Sequence, residues 1–332
     1  MLTRIHIKNF RSFSDVEIGP FKRINLIAGL NNSGKTGLLE AIFLVLAKNG
    51  GVPFRPPSRK QTVNLPNLFR VFSPQADANQ DFWPWLFRDR DEKNDIEISI
   101  STNGGPEEGV LLTTKDPNQL AMVKGGVLKP AENLGTIHVL RPRQSGITLP
   151  AAVFSSHPSD PVQDAIDYNR VILKRGKKKV EKLLKQVDDR IEAIEAVQTG
   201  QRPLIYADIG LAEMIPISHL GEGFCRLLDI YSELVAGDAK VLLIDEVENG
   251  LHHTVMRTVW KGLILAAKEL DVQIFATTHS AECIFAADQA ARESKLNDLD
   301  LVRLDRVKGE IKATIVEQKE LATAKEFDWE LR

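Results

Sequence analysis

The chain has little of what marks several large classes of protein. Its 332 residues include two cysteines, too few for a disulfide framework, and Cys225 and Cys283 lack zinc-ligand spacing. The formal net charge of −2 argues against wholesale coating of nucleic acid, though a local basic patch stays open. The longest apolar run, residues 38–47, is about half of a membrane span. Because residues 1–5 alternate like a strand and not like a secretory leader, we expect a cytoplasmic protein.

A glycine-rich segment, residues 29–36, carries the strongest motif. It reads Gly-Leu-Asn-Asn-Ser-Gly-Lys-Thr between an apolar run and an apolar-periodic segment, which is the G-x-x-x-x-G-K-T pattern in strand–loop–helix context. Loop N–H groups and the positive end of the next helix would face a phosphate. Lys35 would reach the β- and γ-phosphates, and the Thr36 hydroxyl would hold Mg²⁺. The motif therefore predicts nucleoside triphosphate binding by Asn31, Asn32, Ser33, Gly34, Lys35 and Thr36.

A second motif, residues 241–246, reads Val-Leu-Leu-Ile-Asp-Glu. Four apolar residues place two carboxylates at the tip of a buried strand, where ligands of open α/β sheets gather. Asp245 would hold Mg²⁺, and Glu246 would polarise the attacking water as general base. The order of the two motifs predicts hydrolysis as well as binding.

A third motif ends the strand predicted at residues 272–278. His279 follows this strand and could hydrogen-bond the γ-phosphate or the attacking water. A lone histidine at a strand end is more often structural, but its position after the Asp-Glu strand favours a catalytic role.

A fourth motif, residues 217–228, is a loop that enters a helix. Gly221 and Gly223 would expose N–H groups, and the helix N-terminus would offer its dipole to an anion. Alone, this segment is also compatible with a simple tight turn.

Together the four motifs resemble ABC-type ATPases of the RecF, SMC and OLD kind, also described as AAA-type ATP-binding proteins. Residues 7–13, Ile-Lys-Asn-Phe-Arg-Ser-Phe, are similar to the opening strand of that family, whose turn lies beside the nucleotide, so Arg11 and Ser12 join the predicted contacts. The resemblance covers residues 2–48 and roughly 203–317. It implies an α/β fold, a P-loop NTPase of ABC-ATPase type with a mixed sheet, helical cover and a helical lobe.

The resemblance also implies a homodimer, in which the signature loop of one protomer caps the ATP of the other. Residues 220–226 match the Leu-Ser-Gly-Gly-Gln-Gln-Arg pattern, so Gly221, Glu222 and Gly223 would contact nucleotide in trans. Gly221 replaces the serine, Glu222 the first glycine and Phe224 a glutamine. Because a carboxylate near an anion weakens capping, we expect slow turnover.

The chain divides into three predicted parts. Residues 1–150 hold the first part of the ATPase core, with an irregular insertion at 50–94, a hairpin at 96–112 and a strand at 134–140. Residues 151–202 form a helical lobe, with a helical pattern over 160–198. Residues 203–332 hold the second part, in which strands and helices alternate to residue 292 and a hairpin turns at 308–309.

Residues 169–190 carry nine Lys or Arg against three acids. Lys177, Lys178 and Lys179 are the centre of this run and are candidates for contact with nucleic-acid phosphates. A solvated helix face is the usual meaning of such a run, and both interpretations stay open.

Three further expectations concern neighbouring sites. His252 and His253 are adjacent at a helix start and point in different directions, so we expect no metal site with His279 besides the Mg²⁺ site. The glutamine-bearing loop of the family corresponds to Gln80 or Gln144. The acidic domain of OLD nucleases has no counterpart after His279, so we expect no nuclease activity.

The favoured function is an ATPase that dimerises around ATP and acts on nucleic acid, or with a separately encoded effector, in DNA repair or anti-phage defence. One alternative is an ATP-gated scaffold that holds a toxin or nuclease with little turnover. Another is the ATPase subunit of a transporter, which the Asn-Phe-Arg-Ser-Phe turn at residues 9–13 disfavours.

Overall fold

The computed structural model describes residues 1–46, 83–105, 107–115, 128–134, 137–142, 149–155, 161–200 and 202–321. For residues 83, 128–134, 137–142 and 199 only the backbone is described. Residues 50–82 of the predicted insertion lie outside these ranges, as do Gln80 and Gln144. The described strands are β1 (Leu2–Phe10), β2 (Phe13–Ile18), β3 (Ile24–Ala28), β4 (Ile96–Thr102), β5 (Glu108–Thr113), β6 (Leu128–Leu134), β7 (Ile137–Pro142), β8 (Ala151–Phe154), β9 (Ala193–Thr199), β10 (Arg202–Asp208), β11 (Ile215–Pro216), β12 (Val241–Ile244), β13 (Gln273–Thr277), β14 (Leu299–Val307) and β15 (Glu310–Glu317).

The described helices are α1 (Lys35–Leu46), α2 (Pro161–Leu173), α3 (Lys177–Lys185), α4 (Glu222–Ala236), α5 (His253–Leu270) and α6 (Ala281–Glu293). None of the described helices is long and apolar enough to cross a membrane.

A six-stranded core sheet has the order β15-β14-β3-β13-β12-β8. Five of its strands run parallel, and β15 returns antiparallel from β14 through the predicted hairpin. Every residue of β3, β12 and β13 is buried, as expected for parallel strands covered on both faces. The predicted mixed sheet with helical cover is confirmed.

Alternate residues of the core strands enter two separate hydrophobic cores, because successive side chains of a strand point to opposite faces. Leu26, Ile244 and Ile274 pack into the core formed with α2 to α6. Ile27 and Phe275 pack into the core formed with α1 and with strands β1, β2, β4 and β5 of the antiparallel sheet β2-β1-β4-β5-β7-β6. Helix α1, which follows the phosphate loop, is thus held between two sheets.

Two expectations about secondary structure are only partly right. The strand expected at 134–140 is confirmed over 137–140, which belong to β7, but Leu134 ends a different strand, β6, and pairs with Ile137. The helical pattern predicted to residue 198 ends with α3, and 193–199 is strand β9, whose seven residues all pair with β10. Antiparallel pairing with the next strand, β10, overrides the helical pattern of this segment. The lobe interval 151–202 also opens on β8, which belongs to the core sheet.

Candidate functional site

Three neighbouring strands end at one edge of the core sheet. β13 lies between β3 and β12, with Thr277 paired to Ile27 and Ala276 paired to Ile244. Because the strands are parallel, their carboxyl ends meet at one place. The phosphate loop, the Asp-Glu pair and His279, which are far apart in sequence, therefore share this edge.

The phosphate loop has the backbone that its glycines predict. Gly34 has φ of 92°, and a Cβ there would lie 2.9 Å from the Phe13 ring. Asn32 is also left-handed, with φ of 61°. Asn31 and Asn32 are exposed, whereas Ser33 is buried and its hydroxyl has no hydrogen-bond partner in the described part of the chain. An unpartnered polar group inside this loop fits a site built for a polar ligand.

Lys35 is buried at the start of α1. Its Nζ donates to the carbonyl oxygens of Gly29 at 2.7 Å and Leu30 at 2.9 Å, which uses two of its three donors. Burial lowers the pKa of Lys35, and the carboxylates of Asp245 and Glu246 oppose that shift. The loop thus holds a partly desolvated cation, which strengthens its attraction for phosphate.

Thr36 and Asp245 meet across the strand ends. The Thr36 hydroxyl lies 3.2 Å from Oδ1 and 3.4 Å from Oδ2 of Asp245, a residue that is only 7% exposed. A hydroxyl and a carboxylate beside a phosphate loop are the oxygen donors that Mg²⁺ prefers, so these residues fit that ion. The two predicted Mg²⁺ ligands are therefore brought together.

Glu246 and His279 also meet. Nε2 of His279 lies 3.3 Å from Oε1 of Glu246, and each side chain is 39% exposed. Glu246 is left-handed, with φ of 49°, a conformation that is uncommon for a residue other than glycine. The backbone N–H of His279 donates to Oε1 of Glu248 at 2.6 Å, which ties the loop after β12 to the end of β13. The two candidate catalytic groups thus lie side by side and partly exposed at this edge of the sheet.

Two residues of this site were assigned no role from sequence. The Thr277 hydroxyl contacts both Asp245 and Glu246. Arg226 of α4 donates to the backbone carbonyl of Asp245, and burial lowers its pKa. Both lie inside quoted motifs, but their partners are 19 to 32 residues away, so spacing carried no signal.

The signature segment differs between its two glycines. Gly221 has φ of 101° and is exposed, as is Glu222, the first residue of α4. Gly223 is buried, and a Cβ there would collide with the carbonyl of Gly250 in the loop after β12. The backbone of α4 therefore lies close to the loop after β12 at Gly223, and the contact of Gly223 with a nucleotide in trans stays a prediction.

Arg11, predicted beside the nucleotide, pairs with α1. Its Nε and Nη2 donate to the two carboxylate oxygens of Glu40, each at 2.9 Å. Burial raises the pKa of Glu40, and Arg11 opposes that shift. Ser12 is half-buried in the same turn. The turn is therefore attached to the helix that carries Lys35.

The three candidate lysines start α3. Lys177 pairs with Glu195 of β9, and Nζ of Lys179 lies 2.8 Å from Oε1 of Glu269 of α5. Lys178 is exposed beside a groove of about 420 Å³. Two of the three charges are thus partly neutralised within the chain.

The rings of the two adjacent histidines pack against each other. Their centroids are 4.1 Å apart and their planes are tilted by 41°, so the expectation that His252 and His253 point in different directions is wrong. The Thr254 N–H lies 3.4 Å from Nδ1 of His252. No cluster of three His, Cys, Asp or Glu side chains able to hold a metal occurs within the described ranges.

A family model described as an AAA domain matches residues 4–204, more than half of the chain. The chain belongs to this family of AAA-type ATPases. A second AAA-domain model, described as a putative AbiEii toxin of a Type IV TA system, matches residues 131–284. The resemblance inferred from the motifs is confirmed at the level of the ATPase family.

Relatives extend the comparison. The chain is 29% identical to an ATP/GTP phosphatase of Helicobacter pylori over 332 residues, covering 88% of this chain and 89% of the relative. It is 42% identical to the DNA replication and repair protein RecF of Idiomarina loihiensis over 74 residues, 22% of this chain and 20% of RecF. The similarity to the phosphatase extends over most of both chains, whereas the similarity to RecF is confined to a short segment of each.

Solved structures share the fold. An SMC head bound to the C-terminal winged-helix domain of ScpA superimposes with a TM-score of 0.62 at 14% identity, covering 97% of this chain and 99% of that one. An SMC head from Pyrococcus furiosus bound to the C-terminal domain of ScpA gives 0.52 at 13% identity, covering 99% of both chains. The predicted ABC-type fold is confirmed.

Proposed function

We propose that this ATPase hydrolyses Mg-ATP at the carboxyl edge of its core sheet and closes as a twofold pair around two nucleotides. One observation carries the proposal. Thr36 at the start of α1 lies 3.2 Å from Asp245, and Glu246 lies 3.3 Å from His279, beside strands β12 and β13, which end next to each other. The hydrolytic groups are therefore assembled beside the phosphate loop.

The residues divide the chemistry between them. Lys35 and the loop N–H groups bind the phosphates. Mg²⁺ held by Thr36 and Asp245 would offset phosphate charge. Glu246 accepts the proton of the attacking water, and His279 donates a hydrogen bond to the γ-phosphate or to that water.

A second protomer would complete each site. Gly221 and Glu222 are exposed at the N-terminus of α4, a 15-residue helix whose positive end suits a phosphate of the partner's nucleotide. A twofold axis would place both copies of this segment over both nucleotides. The carboxylate of Glu222 would repel the phosphates, which supports slow turnover.

The target of this cycle is nucleic acid or a separately encoded effector in the cytoplasm, in DNA repair or anti-phage defence. The local likeness to RecF supports a nucleic-acid process. The AAA-domain model described with a toxin system supports a partner protein. An ATP-gated scaffold with little turnover is the second candidate, favoured by the exposed Glu222 at the signature position.

Solution mass and phosphate release test the proposal together. The wild type, E246Q and K35A would be compared with and without Mg-ATP. We expect E246Q to double in mass on Mg-ATP and to release no phosphate, whereas K35A stays at the mass of the free protein. Phosphate release by E246Q at the wild-type rate would contradict the assignment of the base. A mass that ATP leaves unchanged in every variant would contradict the pairing.

If E246Q keeps every biological output of the wild type, gating by ATP binding replaces hydrolysis as the working step. If the output disappears with turnover, the hydrolytic cycle is required. The same variant therefore separates the two candidate functions.

A further inference from the structure

Thr277 contacts three consecutive residues of the neighbouring strand end. Its hydroxyl donates to Oδ1 of Asp245 at 2.6 Å and accepts from the backbone N–H of Glu246 at 2.7 Å. Its carbonyl oxygen accepts from the N–H of Val247 at 3.0 Å. The side chain is fully buried, so these contacts are shielded from water. The last residue of β13 is thus attached to the Asp-Glu segment at three points.

We propose that Thr277 is a positioning residue for hydrolysis: its single hydroxyl orients the Asp245 carboxylate that would hold Mg²⁺ and the backbone that carries Glu246. The inference rests on the proposed function. Thr277 itself touches neither substrate nor ion and acts through the two acids.

The chemistry of the hydroxyl suits this role. A threonine hydroxyl supplies one donor and also accepts, so it satisfies a carboxylate and an N–H at the same time. Valine has nearly the same shape and supplies neither, so it would leave both partners short of a hydrogen bond in a buried place. The position therefore requires a hydroxyl and not merely a β-branched side chain.

The backbone of β13 keeps this hydroxyl in place relative to the phosphate loop. Thr277 pairs with Ile27 of β3, and the Thr278 N–H donates to the Ile27 carbonyl at 2.9 Å. Two residues later β3 enters the loop that holds Lys35. The hydroxyl of Thr277 thus contacts the same Oδ1 of Asp245 that lies 3.2 Å from the Thr36 hydroxyl, and it helps to position Asp245 relative to Thr36.

The backbone of Glu246 gives a second reason to assign Thr277 a positioning role. Its left-handed backbone, with φ of 49°, is uncommon for a non-glycine residue and must be held by its surroundings. The hydrogen bond from its N–H to Thr277 fixes the peptide immediately before that turn. Loss of this bond would free the direction in which the Glu246 side chain leaves the strand.

The test compares T277V, T277S and T113V for phosphate release across Mg²⁺ concentrations, ATP affinity without Mg²⁺, and thermal unfolding. T113V is the matched control, because Thr113 of β5 is also fully buried and donates to Asp95 at 2.7 Å in a different sheet. E246Q is included as the reference for the hydrolytic base.

We expect T277V to raise the Mg²⁺ concentration for half-maximal activity, or to lower kcat, by about 10- to 100-fold, the usual effect of removing a partner of a metal ligand. ATP affinity without Mg²⁺ should stay at the wild-type value, since the phosphate loop is untouched. T277S should stay close to wild type, within about threefold, because it keeps the hydroxyl. T113V should keep the wild-type Mg²⁺ dependence even if its melting temperature falls.

Wild-type Mg²⁺ dependence and kcat in T277V, with E246Q inactive, would overturn the role of Thr277 and leave the proposed function standing. Full activity in E246Q would overturn the proposed function itself. If T277V lacks a cooperative thermal transition, T277C provides the comparison, since a thiol is a weak donor of similar size; wild-type Mg²⁺ dependence in T277C would equally overturn the inference.

Discussion

The edge of the core sheet that carries the candidate site and the basic helix α3 both stand out in the sequence by their charges, but the structure buries two of the charges of the first and leaves those of the second at the surface. At the sheet edge, Lys35 is buried, and Thr36 and Asp245 contact each other across strands. On α3, Lys177 and Lys179 lie at the surface and pair with carboxylates of other elements. One desolvated charge interacts strongly with a ligand of opposite charge, whereas ion pairs at the surface contribute little to stability. We therefore expect larger effects from a substitution at the sheet edge than from several on α3.

The largest expected effect comes from removing the buried cation. K35A should lower ATP affinity by about 100-fold or more, because a charge-assisted hydrogen bond to phosphate is lost from a partly desolvated site. K178A, which removes an exposed lysine of α3, is the matched control and should bind ATP as the wild type does. Titration calorimetry with ATP gives both values. Equal ATP affinities of K35A and K178A would contradict the expected difference between the sheet edge and α3.

A buried ion pair sharpens the comparison with the surface pairs of α3. R11A leaves the Glu40 carboxylate unpaired between α1 and the β1–β2 turn and should destabilise the protein by about 3–5 kcal/mol. The double variant R11L/E40L should recover most of this loss, because neither charge remains buried. Denaturant unfolding measures both.

ATP affinity of R11L/E40L then decides what Arg11 does. We expect it to lie within about threefold of wild type, since two of the three guanidinium nitrogens, Nε and Nη2, donate to Glu40 and the third, Nη1, lies 3.5 Å from the Trp85 carbonyl oxygen. A large loss of affinity in a stable double variant would restore Arg11 as a nucleotide contact.

A smaller effect on the free energy of unfolding is expected from a substitution where α4 contacts the loop after β12. G223A should lower the free energy of unfolding by about 1–3 kcal/mol, because the new Cβ would collide with the Gly250 backbone. G37A, also in a helix, is the control: its Cβ would lie 3.4 Å from the Phe13 ring, and it should be neutral or stabilising by up to about 1 kcal/mol. A stabilising G223A would show that the two backbones can separate without cost.

The smallest effect is expected on α3. The triple variant K177Q/K178Q/K179Q should change DNA affinity by less than about threefold and leave the salt dependence nearly unchanged, since two of these lysines already have acidic partners. Binding to a short duplex at several salt concentrations measures this. A slope that falls by about 0.9 for each lysine would identify α3 as a phosphate contact.

Helix and strand assignments from sequence succeeded where local pattern and environment agree. The strand before the phosphate loop, the Asp-Glu strand and the helices after them are continuous apolar or periodic runs. They failed at residues 193–199, which form a strand by pairing with β10, and at Leu134, which ends β6 and pairs with Ile137 of β7 instead of continuing into it. In both places the pairing partner determines the structure.

The sequence by itself determined which residues are candidates for the chemistry of the site, because the phosphate loop, Asp245, Glu246 and His279 each stand in a short contiguous motif at the end of a strand. Only the tertiary structure decided how these groups are supported. The bonds from Thr277 to residues 245 and 246 and the pairing of Arg11 with Glu40 join residues 29 to 32 positions apart. Such contacts depend on which strands and helices become neighbours in the fold, and the spacing of residues along the chain does not predict this.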